Sequence, residues 1–228
     1  MKLLAIDTSS VACTVALGIG DDLIERHEEQ PREHTRLLMP MIREVLNEAD
    51  TALEGLDAIV LGNGPGSFIG MRIAASVCQG LAHGAGLKII PVSSLAAVAA
   101  EVFDNSDAME VAVAQDAHMN EVYLGLFTRD DDDLPVPLCD ERLQIQGAIA
   151  EIDETGMMRR IAAGYGWQRY PNLMNLNRSF FREESSVLYP RAGYLLPLAR
   201  TDNAVAPQDI HPAYLRKKVA VIPGTAKQ

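Results

Sequence analysis

Aromatic residues are scarce, 5% of the 228-residue chain with a single tryptophan, and cysteine occurs three times. The core must therefore be filled with aliphatic side chains, and 48% hydrophobic residues suffice to build one. Cys13, Cys78 and Cys139 lie far apart with no Cys-x-x-Cys spacing, which points to reduced thiols in a cytoplasmic setting. No apolar run approaches the roughly 20 residues that cross a bilayer, and the opening MKLLAIDTSS meets Asp7 too early for a signal peptide. Positive charge is also short. Twenty Lys and Arg against 31 Asp and Glu leave a net charge of −11, so this chain alone should hold RNA poorly, because that affinity comes from cations displacing phosphate counterions. The densest acidic run, Asp130 to Asp133, lacks the glycine and glutamate of a calcium loop and reads as a solvated turn.

What is present centres on Leu56 to Gly84, LDAIVLGNGPGSFIGMRIAASVCQGLAHG. An apolar run, Ala58 to Leu61, reads as a buried strand; glycines and a proline follow, then small and apolar residues at helical spacing. Gly64, Pro65, Gly66, Ser67 and Phe68 form the loop, with Ser67 placed to cap the helix through a first-turn N–H. A helix start of this kind suits an anion or another backbone. Known phosphate fingerprints do not fit. Gly70 is followed by Met71 and Arg72 rather than Lys-Ser/Thr, the dinucleotide register fails, and Phe68-Ile69 interrupts any nucleophile elbow. Arg72 sits where the helix dipole disfavours a cation, so it requires a neighbouring group, either a surface carboxylate or a partner.

Taken in order, KLLAIDTS and CTVALGIG read as a hairpin whose turn carries Asp7, Thr8 and Ser9, and LIERHEE as a third strand. His27 and His34 do not make the helical zinc pattern. A helix over 35–49 carries the stripe Leu38, Ile42, Val45, Leu46 and Ala49, leaving Leu37 and Met41 off it. Pro40 must lie in its first turn or bend it. On the next helix, Ile73, Val77 and Leu81 form one row and the small residues Gly70, Ala74 and Cys78 a second. Such a row serves either tight packing inside the domain or a dimer seam with Leu37 and Met41. LKIIPVSS is a strand and SLAAVAAEVF a helix capped by Ser93 or Ser94. EVAVAQDAHMNEVYLGLF then repeats the opening, with Asp116 where Asp7 stood, which suggests two lobes of related topology. Further on, LQIQGAIAEIDETG reads as a small helix, MMRRIAAGYGW as a strand with a Gly-x-Gly turn, 170–190 as loop, and PRAGYLLPLAR as a helix starting at Pro190.

The stretches IDTSS, EHTRLLMPMI, GNGPGSFIGMRIAASVCQGLA, IIPVSSLAAVA, DAHMNEVYLGLF and HPAYLRK, in this order, resemble the bacterial TsaB (YeaZ) family. The resemblance runs from Lys2 to about Lys218, with Ile69 where the family usually has threonine. It implies an α/β fold of two lobes in the actin, sugar kinase and Hsp70 (ASKHA, RNase H-like) class. An N-terminal lobe would span 1–105, a smaller C-terminal lobe with a returning helix near 190–200 would span 106–218, and 219–228 would be a tail. It also implies a non-catalytic role beside TsaD in forming N6-threonylcarbamoyladenosine at position 37 of tRNAs that read codons beginning with A. TsaD carries a metal-binding His-x-x-x-His; the equivalent places here hold Ser94 and Val98, and valine cannot ligate a metal.

The resemblance further implies a homodimer alone and a heterodimer with TsaD, with TsaE joining through the complex, TsaC elsewhere in the pathway and tRNA met only indirectly. The interface would comprise Leu37, Leu38, Met41, Gly70, Arg72, Ile73, Ala74, Val77, Cys78 and Leu81. No cofactor of its own is expected, ATP or ADP binding instead at the complex interface, with weak contact from Asp7, Thr8 and Ser9. The competing reading is an independent ATP-binding enzyme with Asp7, Thr8, Ser9 and Asp116 facing ATP and Mg²⁺; against it, neither turn has the glycine that lets amides approach a phosphate.

Overall fold

Two mixed sheets, each flanked by helices, are joined by one helix that belongs to both. The computed structural model describes residues 1–150 and 160–216. β1 (Lys2–Asp7), β2 (Cys13–Ile19) and β3 (Asp22–Glu28) form an antiparallel meander, with Asp7 opposite Thr14 at the first corner. After α1 (His34–Glu48), β4 (Ala58–Gly62) runs parallel to β1; after α2 (Phe68–Ala85), β5 (Lys88–Val92) runs parallel to β4. The order β3-β2-β1-β4-β5 puts the glycine-rich loop beside the first hairpin turn.

Alternation along the central strands divides their side chains between two faces. Leu4, Ile6, Val15 and Leu17 pack beneath α1 and α2 against Leu38, Ile42, Val45, Ala74 and Cys78. Leu3, Ala5, Val60 and Ile90 face the other way, onto Ala97 of α3 (Ser94–Asp104) and onto Ala192 and Leu195. The opposite side of α3, with Leu95, Val98, Val102 and Phe103, fills the second core against Val111, Val113 and Tyr123. Ser93 caps α3, accepting from the N–H groups of Leu95 and Ala96.

The second sheet is built on the hairpin β6 (Glu110–Asp116) and β7 (Glu121–Arg129), then β8 (Pro135–Pro137), β9 (Arg142–Ile145), β10 (Arg160–Ala163) and β11 (Glu183–Glu184). Its order is β11-β10-β6-β7-β8, with β9 also on β7. α4 (Tyr165–Arg169) and α5 (Pro171–Asn177) cover one face, with Trp167 donating to the Ala112 carbonyl at 2.9 Å.

Three expectations need correcting. The piece expected as a helix over 143–156 is β9 in its first residues, and 151–156 of it lie outside the described residues. The loop-like stretch after Tyr170 contains α5, started by Pro171 at its first turn, where the missing N–H costs nothing. The segment after Pro190 makes only a 3-10 turn, Ala192–Leu195, because Pro197 cannot donate the next helical bond. Pro40 lies inside α1, past its first turn, with an exposed ring.

Past that 3-10 turn the chain runs back over the first lobe. Ala192 N–H reaches the Thr14 hydroxyl at 3.0 Å and Arg191 is paired with Glu25. Val205 bridges Ile89 of β5 in both directions, at 2.9 and 3.0 Å, and so covers that sheet edge.

Candidate functional site

The two repeated hairpin turns and the start of α2 meet at the mouth of a cleft between the sheets. The first turn is closed by the protein itself. Asp7 Oδ2 accepts from the Ser94 hydroxyl at 2.5 Å, and Asp7 Oδ1 from the Ser9 N–H at 2.6 Å. Thr8 donates its hydroxyl to the Gly70 carbonyl at 2.7 Å, and Ser67 N–H donates to the Ser9 carbonyl at 2.6 Å. Asp7, Thr8 and Ser9 are all buried, Asp7 and Thr8 completely. Asp7, Thr8 and Ser9, expected as weak nucleotide contacts, are thus enclosed by Ser94, by Ser67 of the loop and by Gly70 at the start of α2.

Glycine is required by that closeness. A Cβ at Gly62 would stand 1.9 Å from Asp7 Oδ2, one at Gly66 2.2 Å from the Ser9 carbonyl oxygen, and one at Gly70 1.9 Å from the Thr8 carbonyl oxygen. Gly64 has a positive φ of 83° and precedes a cis bond to Pro65. Its N–H donates to Ser94 Oγ at 3.0 Å while its carbonyl accepts from Ser94 N–H at 2.8 Å. Ser67 caps α2 as expected, accepting from Gly70 N–H at 3.2 Å.

Burial pushes the Asp7 carboxyl up to about 6, against the partial relief of its bonds from Ser94 and Ser9. The same burial, with Asp7 nearby, pushes the Cys13 thiol up to about 12 and Cys78 higher still, so neither is a nucleophile at neutral pH. Ser94 is committed to Asp7 and Gly64, and Val98 points into the second core. Among the described residues no group of three or more His, Cys, Asp or Glu is placed to hold a metal ion.

The small-residue row lies inward. Gly70 is buried against the Thr8 carbonyl of the first hairpin turn and Ala74 and Cys78 against the first sheet, and Leu38 and Met41 join the same core. Leu38, Met41, Ala74 and Cys78, expected at the interface, thus lie in the lobe's own core, while Gly70 also lines the outer cleft. Leu37, Ile73, Val77 and Leu81 are half-buried and Arg72 is exposed. Ile69 is 70% exposed, one turn before Ile73, so the residue that departs from the family pattern lengthens the outward apolar strip. Gly80 and Gly84 lie open on α2, with nothing within 4 Å of an added Cβ.

Within the chain Arg72 is answered by an aromatic ring and a hydroxyl rather than by a carboxylate. Its guanidinium lies 3.6 Å from the Phe68 ring centre, and its Nε donates to the Tyr214 hydroxyl at 2.9 Å. Tyr214 sits 5.3 Å from Phe68, on a strap that belongs to the HPAYLRK stretch. Asn63 donates its side-chain amide to the His211 carbonyl at 3.1 Å and accepts from Ala213 N–H at 3.2 Å, Gln79 donates to the Pro207 carbonyl at 3.1 Å, and Ile210 is buried in the first core. Arg216 then crosses to the second hairpin, donating to the Ala117 carbonyl at 2.9 Å and pairing with Glu121 at 2.5 Å. Tyr214→Phe removes one exposed hydrogen bond but keeps the ring stack. It should cost no more than about 1 kcal/mol in urea unfolding, and Tyr214→Ala clearly more.

The second hairpin turn is polar and open. His118, Met119 and Asn120 all have positive φ, and Asp116 accepts from His118 N–H and from the Tyr170 hydroxyl, each at 2.7 Å. With Gln115, Tyr165 and Tyr189 it faces Ser10, His34 and Ile69 across a cleft of about 650 Å³.

Residues 27–176 match the family described as TsaD, tRNA N6-adenosine threonylcarbamoyltransferase. The tRNA threonylcarbamoyladenosine biosynthesis protein TsaB of Escherichia coli K12 is 36% identical over 225 residues, covering 96% of each chain. Its counterpart in Haemophilus influenzae is 34% identical, over 96% of this chain and 95% of that one. Among solved structures, YeaZ from Pseudomonas aeruginosa superposes with a TM-score of 0.82 at 33% identity, over 94% of this chain and 99% of that one. Another structure from that organism, titled as an uncharacterized protein with similarity to the peptidase YeaZ, gives 0.83 at 34%, with the same coverage.

Proposed function

Because the chain belongs to the family of the tRNA threonylcarbamoyladenosine biosynthesis protein TsaB, we propose that it works in the cytoplasm as the non-catalytic partner of TsaD, pairing with it through the outward face of α2 and the start of α1. The observation that carries this reading is the strip Ile69, Ile73 and Val77, left partly open on a helix whose other sides are committed to the sheet and to the strap. Leu37 and Leu81 extend it, and Gly80 leaves room for another backbone to approach. A specific pairing of this kind buries about 1,600 Å² in total. The same strip serves a homodimer when the chain is alone.

Absence of catalysis by this chain is supported by the first hairpin. In kinases of this architecture a phosphate needs open amides and a free carboxylate, whereas Asp7 is sealed among Ser9, Ser94 and Gly62. The chain needs no cofactor of its own. Any ATP or ADP is held where the outer cleft meets the partner, and with a net charge of −11 the tRNA contacts are made by more basic subunits, TsaE joining through the complex.

The test is Ile73→Glu with Val77→Glu, both on the outward strip. The variant should keep the parent's circular dichroism and a cooperative unfolding transition, lose affinity for TsaD by about a hundredfold or more, and fail to support tRNA modification in a reconstituted system. Undiminished complex formation on gel filtration would show that the strip is not the contact.

A further inference from the structure

Beside the outer cleft, and sharing Ile69, Asp116 and His118 with it, lies a second cavity of about 360 Å³. Three distant pieces of the chain wall it: the start of α2, the second hairpin turn and the strap. Met71 and Tyr123 are the buried part of its lining, and Phe68, Tyr214 and Met119 the more open part. Phe68 and Tyr214 already meet with their planes tilted by 40°. Thioethers and tilted rings are the surfaces that hold a flat π system, through sulfur and edge contacts. The volume lies at the lower end of the range of about 300–1,000 Å³ that small-molecule pockets occupy, room for one or two fused rings.

The polar lining is short, and most of it is taken. Ser67 accepts from Gly70 N–H, and Arg216 is held by the Ala117 carbonyl and by Glu121. Asp116 is different. A carboxylate accepts about four hydrogen bonds. Asp116 Oδ1 receives the His118 N–H and the Tyr170 hydroxyl, and Oδ2 has only the His118 ring at 3.2 Å, so Oδ2 keeps capacity for one more donor. His118 and Met119 stand in the left-handed region, φ 59° and 55°, which L side chains enter only at a cost, and both of them line this cavity. An anion is disfavoured here, because Asp116 is in the wall and Arg216 is already matched by Glu121.

We propose that this cavity binds a small neutral heteroaromatic molecule, one or two fused rings with an N–H on the edge, its faces against Met71, Met119 and the Phe68–Tyr214 pair and its N–H donated to Asp116. The site lies within one chain and needs no partner to complete it. In the full-length chain with isotope-labelled methionine methyls, indole and benzimidazole should each shift the Met71 and Met119 signals saturably, half-saturating below about 1 mM. Met1 and Met109, which do not line the cavity, should stay in place. Cyclohexanol, apolar but not flat, and indole-3-acetate, which adds a carboxylate, should each bind at least about tenfold more weakly than indole. Ala117→Leu puts bulk into the cavity and should remove the indole response. If that variant does not fold, Met119→Gly decides the matter: the position is exposed, its positive φ suits glycine, and loss of the thioether should weaken indole binding by about fivefold. Absence of a saturable Met71 shift with both ring probes overturns the proposal, as does undiminished binding in a folded variant. Cyclohexanol binding as well as indole also overturns it and makes the cavity a nonspecific apolar hollow. A Met71 shift produced by TsaD but by neither ring probe overturns it too, and assigns the cavity to a partner's side chain.

Discussion

Gly70→Val should leave a chain that unfolds at much lower urea than the parent, with a loss of at least about 3 kcal/mol. The new side chain has no direction in which to yield. Its Cβ would sit 1.9 Å from the Thr8 carbonyl oxygen, and the Gly70 carbonyl is already bonded to the Thr8 hydroxyl, so hairpin and helix must part. They are also stitched by Ser67 N–H to the Ser9 carbonyl, and separation would leave buried polar groups unpaired. Gly80→Ala on the same helix is the control. Nothing lies within 4 Å of its Cβ, so it should gain up to about 1 kcal/mol from helix propensity. Equal effects at the two positions would mean that the loop does not pack on the hairpin.

The second large effect is in the pH dependence of stability. Asp7 ionises at about 6 in the folded chain against its ordinary 3.8, because burial disfavours the charge. An acid whose folded value is raised holds its proton more tightly when folded. The stability from that proton is complete below about pH 4 and disappears as pH rises through 6, a change of about 3 kcal/mol. Glu101 and Glu141, which burial pushes up to about 7, contribute in the same direction, so the parent's total fall is larger. Asp7→Asn keeps the size and an acceptor for Ser9 N–H but has no proton to lose. Urea unfolding of both chains between pH 4 and 7 should show the parent falling more steeply, the difference between them being the Asp7 part. Parallel curves would mean that water reaches this carboxylate.

The first half of the chain was legible from sequence to the level of element order: three strands, helix, strand, helix, strand, helix, with Ser67 and Ser93 at the caps. Apolar period and capping chemistry are local signals, and local signals determine element type. The direction in which a helix faces is not local. Gly70, Ala74 and Cys78 make the same spacing whether they meet a partner or a sheet, and only the position of β1 and β4 decides that they turn inward. Asp7 misleads for a related reason. A polar turn after a strand reads as solvated until Gly62 and Ser94 close over it from distant parts of the chain. The strap escaped because its hold is made of scattered single contacts, Gln79, Arg72 and Arg216, with no periodic pattern. Pro171 and Pro197 look alike in the sequence, yet one starts α5 and the other ends a helical turn.

Helix α3 gives Ala97 to the interior of one lobe and Val98 and Phe103 to that of the other, and no linker separates the two. Opening the molecule like a jaw would mean tearing a common wall rather than bending a hinge. Whatever docks on one lobe therefore meets a surface whose setting against the other is fixed by that shared wall.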